Sequence, residues 1–345
     1  MIHTKSKIML YCLALLLIVV LSQKVSSEPV EAGFGKIKAG GLFQYWYQHE
    51  QGAQPEDNFR LRRTEIKLSG EIKPEVAWAV MIDPAAVRED DTKSEVLNET
   101  KVITSTGRKS ALQDLVITFK PYANFSVDVG QYKIPFGMEG IESSAKLDFA
   151  ERSALCTKFK WSDVRDIGVA LRGNWETEGV KIQPVVGIFN GEKQNRLDVN
   201  DSKDFAGKLV VKPFDALHLG VSHYNGKSGT NEIDEVRTGV EIKFAIDPIS
   251  IYGEYADGKG GGKNKQTYYV TAGYKFLDNW QVVARYDWYD PDTDKKDDER
   301  NETTLGVNYF IEKHNAKIQL NYIRAGEKGT KVDDDIVRLN VQVSY

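Results

Sequence analysis

Sixteen segments of seven to eleven residues along this chain read with a period of two, apolar against polar, and each is cut off by turn chemistry. They run "GLFQYWYQ", "TEIKLSGEI", "VAWAVMI", "LQDLVITFK", "NFSVDVGQY", "DIGVALRGNW", "VKIQPVVGIF" and "DFAGKLVVK" in the first half. "LHLGVSHY", "VRTGVEIKF", "ISIYGEY", "QTYYVTAGYKF", "WQVVARYDWY", "TTLGVNYFI", "AKIQLNYI" and "DIVRLNVQVSY" complete the set. Side chains of a strand point alternately to its two faces, so each segment predicts a strand with one apolar and one polar row. The connections alternate in length. Short ones are centred on Pro, Gly, Asn or Asp ("GEIKPE", "KPYAN", "ETEG", "KPFDA", "IDP", "LDN", "EKHN"). Between them lie long charged links, among them Asp83 to Ser110, Pro135 to Asp163 and "PDTDKKDDERN".

Short turns on one rim and long loops on the other are the pattern of an antiparallel up-and-down barrel across an outer membrane. The fold expected is all-β: a 16-stranded antiparallel up-and-down transmembrane β-barrel, its third extracellular loop folded inward. The alternative is a soluble two-sheet sandwich, which has no reason to keep loop lengths in step over so many strands. In hydrocarbon no sheet edge can stay unpaired, so the last strand must close on the first. The even strand number then puts both ends of the barrel on the short-turn side. The closing segment sends Val337, Leu339, Val341, Val343 and Tyr345 to one face, and Arg338, Asn340 and Gln342 to the other. Trp46, Trp78, Trp280, Tyr286, Trp288, Tyr309, Tyr322 and Tyr345 fall near strand ends and are expected at the membrane interfaces.

Ahead of the strands, Lys5 and Lys7 precede the apolar run "IMLYCLALLLIVVL" and the small polar stretch "SQKVSS". That order predicts a cleaved signal peptide over 1–27, with the barrel domain over 28–345; an uncleaved membrane anchor is the alternative. Residues 1–27 carry three lysines and no acid, which takes the formal net charge from -4 to about -7 for the remainder. An acidic whole argues against a nucleic-acid partner. One cysteine, Cys156, follows the leader, so no internal disulfide framework is expected.

If the apolar rows face lipid, the opposite rows line the interior. They hold Arg63, Lys67, Arg172, Lys181, Lys208, Arg237, Lys243, Lys275, Arg285, Lys317 and Arg338 against Glu65, Asp114, Asp128, Glu241, Glu254 and Asp287. That basic surplus predicts a weak preference for anions, since low-dielectric walls focus the field of lining charges; pairing of these cations with the carboxylates is the alternative. In "NFRLRRTEIKL" the alternation breaks, and a bulge at Arg62 and Arg63 would restore it and turn Arg60, Arg62 and Arg63 to the mouth or lumen. The third long link carries Phe136, Met138, Ile141, Leu147, Phe149, Leu155 and Phe159, too apolar for a loop in solvent. Packed on the inner wall it would bring Lys133, Lys146, Arg152, Lys158 and Lys160 near the axis; an external lid or a subunit contact is the alternative.

"GQYKIPFGMEGIESSAKLDFAERS" (Gly130 to Ser153), with "GIFNG" and "DFAGKLVVKPF" after it, resembles the signature of the phosphate-selective porin O and P family, over about Gly41 to Tyr345. The resemblance implies a 16-stranded outer-membrane barrel, usually trimeric, with an inward third loop and a lumen of Arg and Lys that passes anions. It places Lys133 and the loop between Pro135 and Arg165 in the constriction, and Lys208 on the wall at a position where relatives often show arginine. This chain departs from the pattern in having no dense arginine ladder and in ending on Tyr rather than Phe.

The residues expected to line the pore and hold anions are therefore Arg60, Arg62, Arg63, Lys67, Lys133, Lys158, Lys160, Arg172, Lys208, Arg237, Arg285 and Arg338. The function expected is passive diffusion of small anionic or neutral solutes through a porin, a homotrimer in the bacterial outer membrane beside lipid and lipopolysaccharide. A plugged barrel serving as receptor or adhesin, or an outer-membrane hydrolase, is the rival. No catalytic group, cofactor or metal site is expected. "DGKGGGKNK" lacks the spacing of a phosphate-cradling loop, "DPDTDKKDDE" lacks the glycine and terminal glutamate of an EF-hand, and His49, His218, His223 and His314 share no ligand set.

Overall fold

A computed structural model describes residues 30–32, 35–53, 55–87, 92–97, 100–105, 110–327 and 334–345. The expected signal peptide lies outside the described residues. In chain order the strands are β1 (Val30–Ala32), β2 (Gly35–Glu50), β3 (Asp57–Lys73), β4 (Val76–Ile82), β5 (Thr92–Leu97), β6 (Thr100–Ser105), β7 (Leu112–Tyr122) and β8 (Phe125–Lys133). They continue with β9 (Arg165–Gly173), β10 (Trp175–Thr177), β11 (Val180–Phe189), β12 (Asp204–Phe214), β13 (Leu217–Ser228) and β14 (Ile233–Ile246). The last six are β15 (Ile249–Gly260), β16 (Lys263–Leu277), β17 (Trp280–Asp290), β18 (Arg300–Glu312), β19 (Ala316–Glu327) and β20 (Ile336–Ser344).

All but β5 and β6 form one sheet of eighteen strands, each antiparallel to its neighbours. Two of these are fragments: β1 is a stub folded back on β2, and β10 continues β9 along the same edge of β11. Sixteen staves remain. The ring closes where β20 pairs with β2, from Ser344 opposite Leu42 to Ile336 opposite Glu50. Tyr345 completes the seam by exchanging backbone hydrogen bonds with Gly41 at 3.1 and 3.2 Å. A closed ring leaves no unpaired edge, which is the condition for strands to cross hydrocarbon.

Alternation places the apolar rows outside. Ile66, Leu68, Leu115, Ile117, Val186, Val240, Ile242, Val270, Leu305 and Leu320 are all more than a third exposed. In water such a surface would drive association; against lipid tails it is matched to its solvent. Rings gather at both ends of this band. Tyr268 stacks on Trp288 with centroids 5.4 Å apart, toward the long loops, while Trp280 packs on Tyr309 at 4.8 Å beside a short turn. Trp280 and Trp288 are eight residues apart on β17, roughly 26 Å along a strand and about 20 Å across a tilted one, close to the height of an apolar band.

Two expectations are corrected. Trp46 is not an interface aromatic: it shares the inner parity of Gln44 and Gln48 and is 1 % exposed, its ring covered by guanidinium groups. The stretch from Asp83 to Ser110 is not structureless, since β5 and β6 form a hairpin of their own outside the barrel sheet. The break in "NFRLRRTEIKL" is a bulge, with Arg63 opposite Gln44 and Leu61 opposite Tyr45, so that Arg62 is the extra residue.

Candidate solute pathway

The polar rows converge on the segment between β8 and β9, residues 134–164. Its backbone carbonyls and amides are bonded to side chains on strands all round the ring. Glu254 of β15 accepts from Met138 N and Glu139 N, each at 2.7 Å, and Ser222 of β13 accepts from Gly137 N at 3.2 Å. Lys208 of β12 donates to Gly137 O at 2.7 Å. Across the ring Asp287 accepts from Ala154 N, Asn321 accepts from Ala150 N, and Asn308 donates to Asp148 O, all within 2.8 to 2.9 Å. Lys317 and Gln319 donate to Leu147 O, and Gln342 donates to Ala145 O.

The wall from β17 to β2 that carries these anchors is rich in amides, with Arg285, Lys317 and Arg338 among them. Gln44 donates to Gln342 at 2.8 Å, Asn340 to Gln319 at 2.9 Å, and Asn308 to Gln281 at 2.9 Å. These buried amides bond one another and offer donors to the loop carbonyls, with Asn321 Nδ2 and Asn340 Oδ1 left without a partner among the described residues. The apolar residues of the segment have a physical partner as well. Ile134, Phe136, Leu155, Phe159 and Trp161 form one buried cluster with Tyr132, Phe189, Tyr224 and Tyr289, over the small Ala170, Ala206 and Ala256. Ile141, in contrast, is 38 % exposed and packs into no cluster.

The charged side chains fall into groups. Arg60, Arg62 and Arg338 surround Trp46, with their guanidinium carbons 5.7, 5.4 and 4.3 Å from the ring centroid. Glu151 bridges Arg62 at 2.8 Å and Arg63 at 3.2 Å. Burial works against ionisation of Glu151, but Arg63 and Arg62 outweigh it and hold its carboxyl well below the usual carboxylate range. Asp163 plays the same part for Lys133 at 2.7 Å and Arg152 at 3.1 Å. Burial opposes its charge, while Lys133, Arg152 and Arg165 push its carboxyl far down. Lys158 pairs with Glu302 at 2.8 Å, Arg285 with Asp287 at 2.6 Å, Arg172 with Asp128, and Lys208 with Glu241 at 2.5 Å. Many interior cations are thus matched by carboxylates. Lys67 is exposed on β3, Arg237 is buried on β14 against the Tyr224 ring, and Lys160 is an exposed residue of the loop.

Sequence reasoning missed Glu139 and Glu151 as anchors, because acids in a long loop look solvated. It also missed Lys212 and Lys120. These join Arg172, Lys208, His218 and Lys243 around a vestibule of about 720 Å³ on the short-turn side, whose acids are Glu142 and Asp215.

A closed antiparallel barrel of sixteen staves, greasy outside and polar within, defines a porin of the Gram-negative outer membrane. The chain belongs to the phosphate-selective porin O and P family, whose family model matches residues 37–239; a Gram-negative porin family model matches residues 179–330. No curated protein sequence matches it. Among solved structures it is similar to Salmonella typhi OmpF, in complex with daunomycin, at 12 % identity and a TM-score of 0.63, over 92 % of this chain and 100 % of that one. The anion-selective porin from Comamonas acidovorans is similar at 11 % identity and 0.60, over 90 % and 99 %. A trimer form of OmpT, an outer membrane protein of Vibrio cholerae, is similar at 11 % and 0.57, over 90 % and 99 %. At such identities the likeness is one of fold.

Proposed function

We propose that this porin passes small anionic and neutral solutes with a weak preference for anions, and that the segment 134–164 narrows its bore. The observation that carries the sign is the short-turn vestibule: five Lys or Arg side chains and His218 face it against two acids. Charges lining a low-dielectric mouth raise the local concentration of the opposite ion, and flux follows concentration and bore without a covalent step. The preference is weak because Arg172 and Lys208 are each tied to a carboxylate. Arg60, Arg338, Lys158, Lys160 and Arg237 add positive charge toward the long loops, Arg62, Arg63, Lys133 and Arg285 contact the segment 134–164, and Lys67, opposite Gly40, lies nearer the short turns.

Wall bonds from eight strands to one segment support the constriction. They also suit the rival reading, a lumen sealed for a receptor. Planar-bilayer recording separates the two. The porin gives discrete conductance steps and, in a KCl gradient, a reversal potential on the anion side, with chloride favoured about two- to fivefold. Negligible steps support the sealed barrel, and a cation-side potential refutes the preference. We infer a homotrimer exported through a cleaved signal peptide, its apolar rows in lipid and its long loops beside lipopolysaccharide. Native mass measurement in detergent reads the subunit number directly. A channel rather than a hydrolase is favoured by the match to two porin family models and by the likeness in fold to porins.

A further inference from the structure

Many interior cations sit close against a carboxylate, but a group toward the long loops has only one long contact to an acid. Arg237 of β14, Lys265 of β16, Lys160 of the segment 134–164 and Lys193 line a single cavity of about 210 Å³ with Phe159 and Trp161. Arg237 is 5 % exposed, and its guanidinium carbon lies 3.7 Å from the centroid of the Tyr224 ring. The carboxylate oxygen of Glu235 is 3.9 Å away, and the Arg237 Nε is buried with no hydrogen-bond partner among the described residues. Among the described residues Lys160, Lys193 and Lys265 form no ion pair. Lys265 Nζ instead stands 5.7 Å over the Phe159 ring.

The lining has two acids: Asp166 accepts from Ile167 N and Gly191 N, and Glu235 accepts from Gly261 N and lies 3.9 Å from Arg237. Four cations therefore face two carboxylates across this cavity, a surplus of positive charge, and a buried donor lacks an acceptor among the described residues. Leaving such a buried donor unmade is costly, and an anion restores it. The aromatic lining adds a second requirement. A compact inorganic oxyanion gains from the cations alone, whereas a flat ring also gains apolar contact with Phe159 and Trp161, which line the cavity at 9 % and 2 % exposure. The cavity is smaller than the ~300 Å³ where pockets for drug-sized ligands begin, so its occupant is one ring with its acid group. Gly260 keeps it open: a Cβ there would lie 3.1 Å from Trp161 Nε1 and 3.6 Å from Lys265 Nζ.

We propose that this cavity is a docking site for a small aromatic carboxylate, its acid group held by Arg237 and the three lysines and its ring against Phe159 and Trp161. The inference deepens the reading of the barrel as an anion-passing porin and rests on it for the route by which the solute arrives.

Titration calorimetry on the refolded full chain in detergent tests it, with benzoate, acetate and inorganic phosphate as probes. Benzoate is expected to bind about tenfold more tightly than either acetate, which lacks the ring, or phosphate, which lacks the apolar body. Lys193→Gln with Lys265→Gln weakens benzoate about tenfold, and Gly260→Val weakens it by a similar factor while keeping every charge. Equal affinity for benzoate and acetate overturns the site, as does benzoate affinity that neither set of changes alters. KCl conductance of the same preparation separates the two levels. Anion-preferring steps without a benzoate preference remove the site and leave the porin, while benzoate binding in a silent barrel keeps the site and removes the channel.

Discussion

Asp163 holds Lys133 and Arg152 together through one carboxylate, with Arg165 nearby. Asp163→Asn keeps the shape and removes the charge, leaving three cations to repel one another in a poorly hydrated site. Losing one partner of a buried ion pair is strongly destabilising, and because Asp163 is 26 % exposed we expect about 1–3 kcal/mol. Urea unfolding of the refolded barrel, followed by tryptophan fluorescence, should show a lower midpoint; an unchanged midpoint means the three cations need no common counter-ion. Residue identities along the inner rows were legible, because a period of two assigns each side chain a face. Their pairing was not. Arg62 and Glu151 are 89 residues apart, and Lys208 and Glu241 are on strands separated by β13, so only the closed ring shows which acid cancels which base. Trp46 was misread for a related reason: tryptophan favours interfaces on average, but parity decides the individual case.

At the scale of elements, alternation located the sixteen staves well. Val76–Ile82 and Val180–Phe189 coincide with the segments read from sequence, and most others run a few residues further toward the long loops, where polar residues continue the ladder beyond the apolar band. The hairpin of β5 and β6 was not legible, since it lies within a long charged link and forms a sheet of its own apart from the barrel. The segment 134–164 was legible as apolar and anchored, but not its anchors, which are main-chain groups and so carry no sequence signal. Gly140 makes this element testable. A Cβ there would stand 1.7 Å from Ser162 Oγ and 2.3 Å from the Asp163 backbone nitrogen, a contact no rotamer change relieves. Gly140→Ala must therefore displace the segment from its seat. If that segment narrows the bore, single-channel conductance rises by about half or more, because flux through a constriction scales with its open area. A conductance equal to the parent's would place the narrowest point elsewhere.

For the whole molecule, charge balance rather than charge number sets ion preference. The chain as a whole is acidic, yet the vestibule at its short-turn end is basic, and only charges that face the pathway act on a permeant ion. Lys212 and Lys243 make no ion pair among the described residues, although Lys243 lies 5.3 Å over the Tyr252 ring. Reversing both, Lys212→Glu with Lys243→Glu, turns a lining of five Lys or Arg against two acids into three against four. The reversal potential in a KCl gradient should cross from the anion side to the cation side, with the number of conducting units unchanged. Raising the salt supplies an independent check on the same cause. The screening length falls from about 10 Å at 0.1 M to about 3 Å at 1 M, shorter than the radius of a vestibule of this volume, so the parent's preference should shrink toward unity. A preference that survives both charge reversal and concentrated salt would have to come from contacts along the segment 134–164, where Arg62 and Arg63 meet Glu151, and not from the field of the mouth.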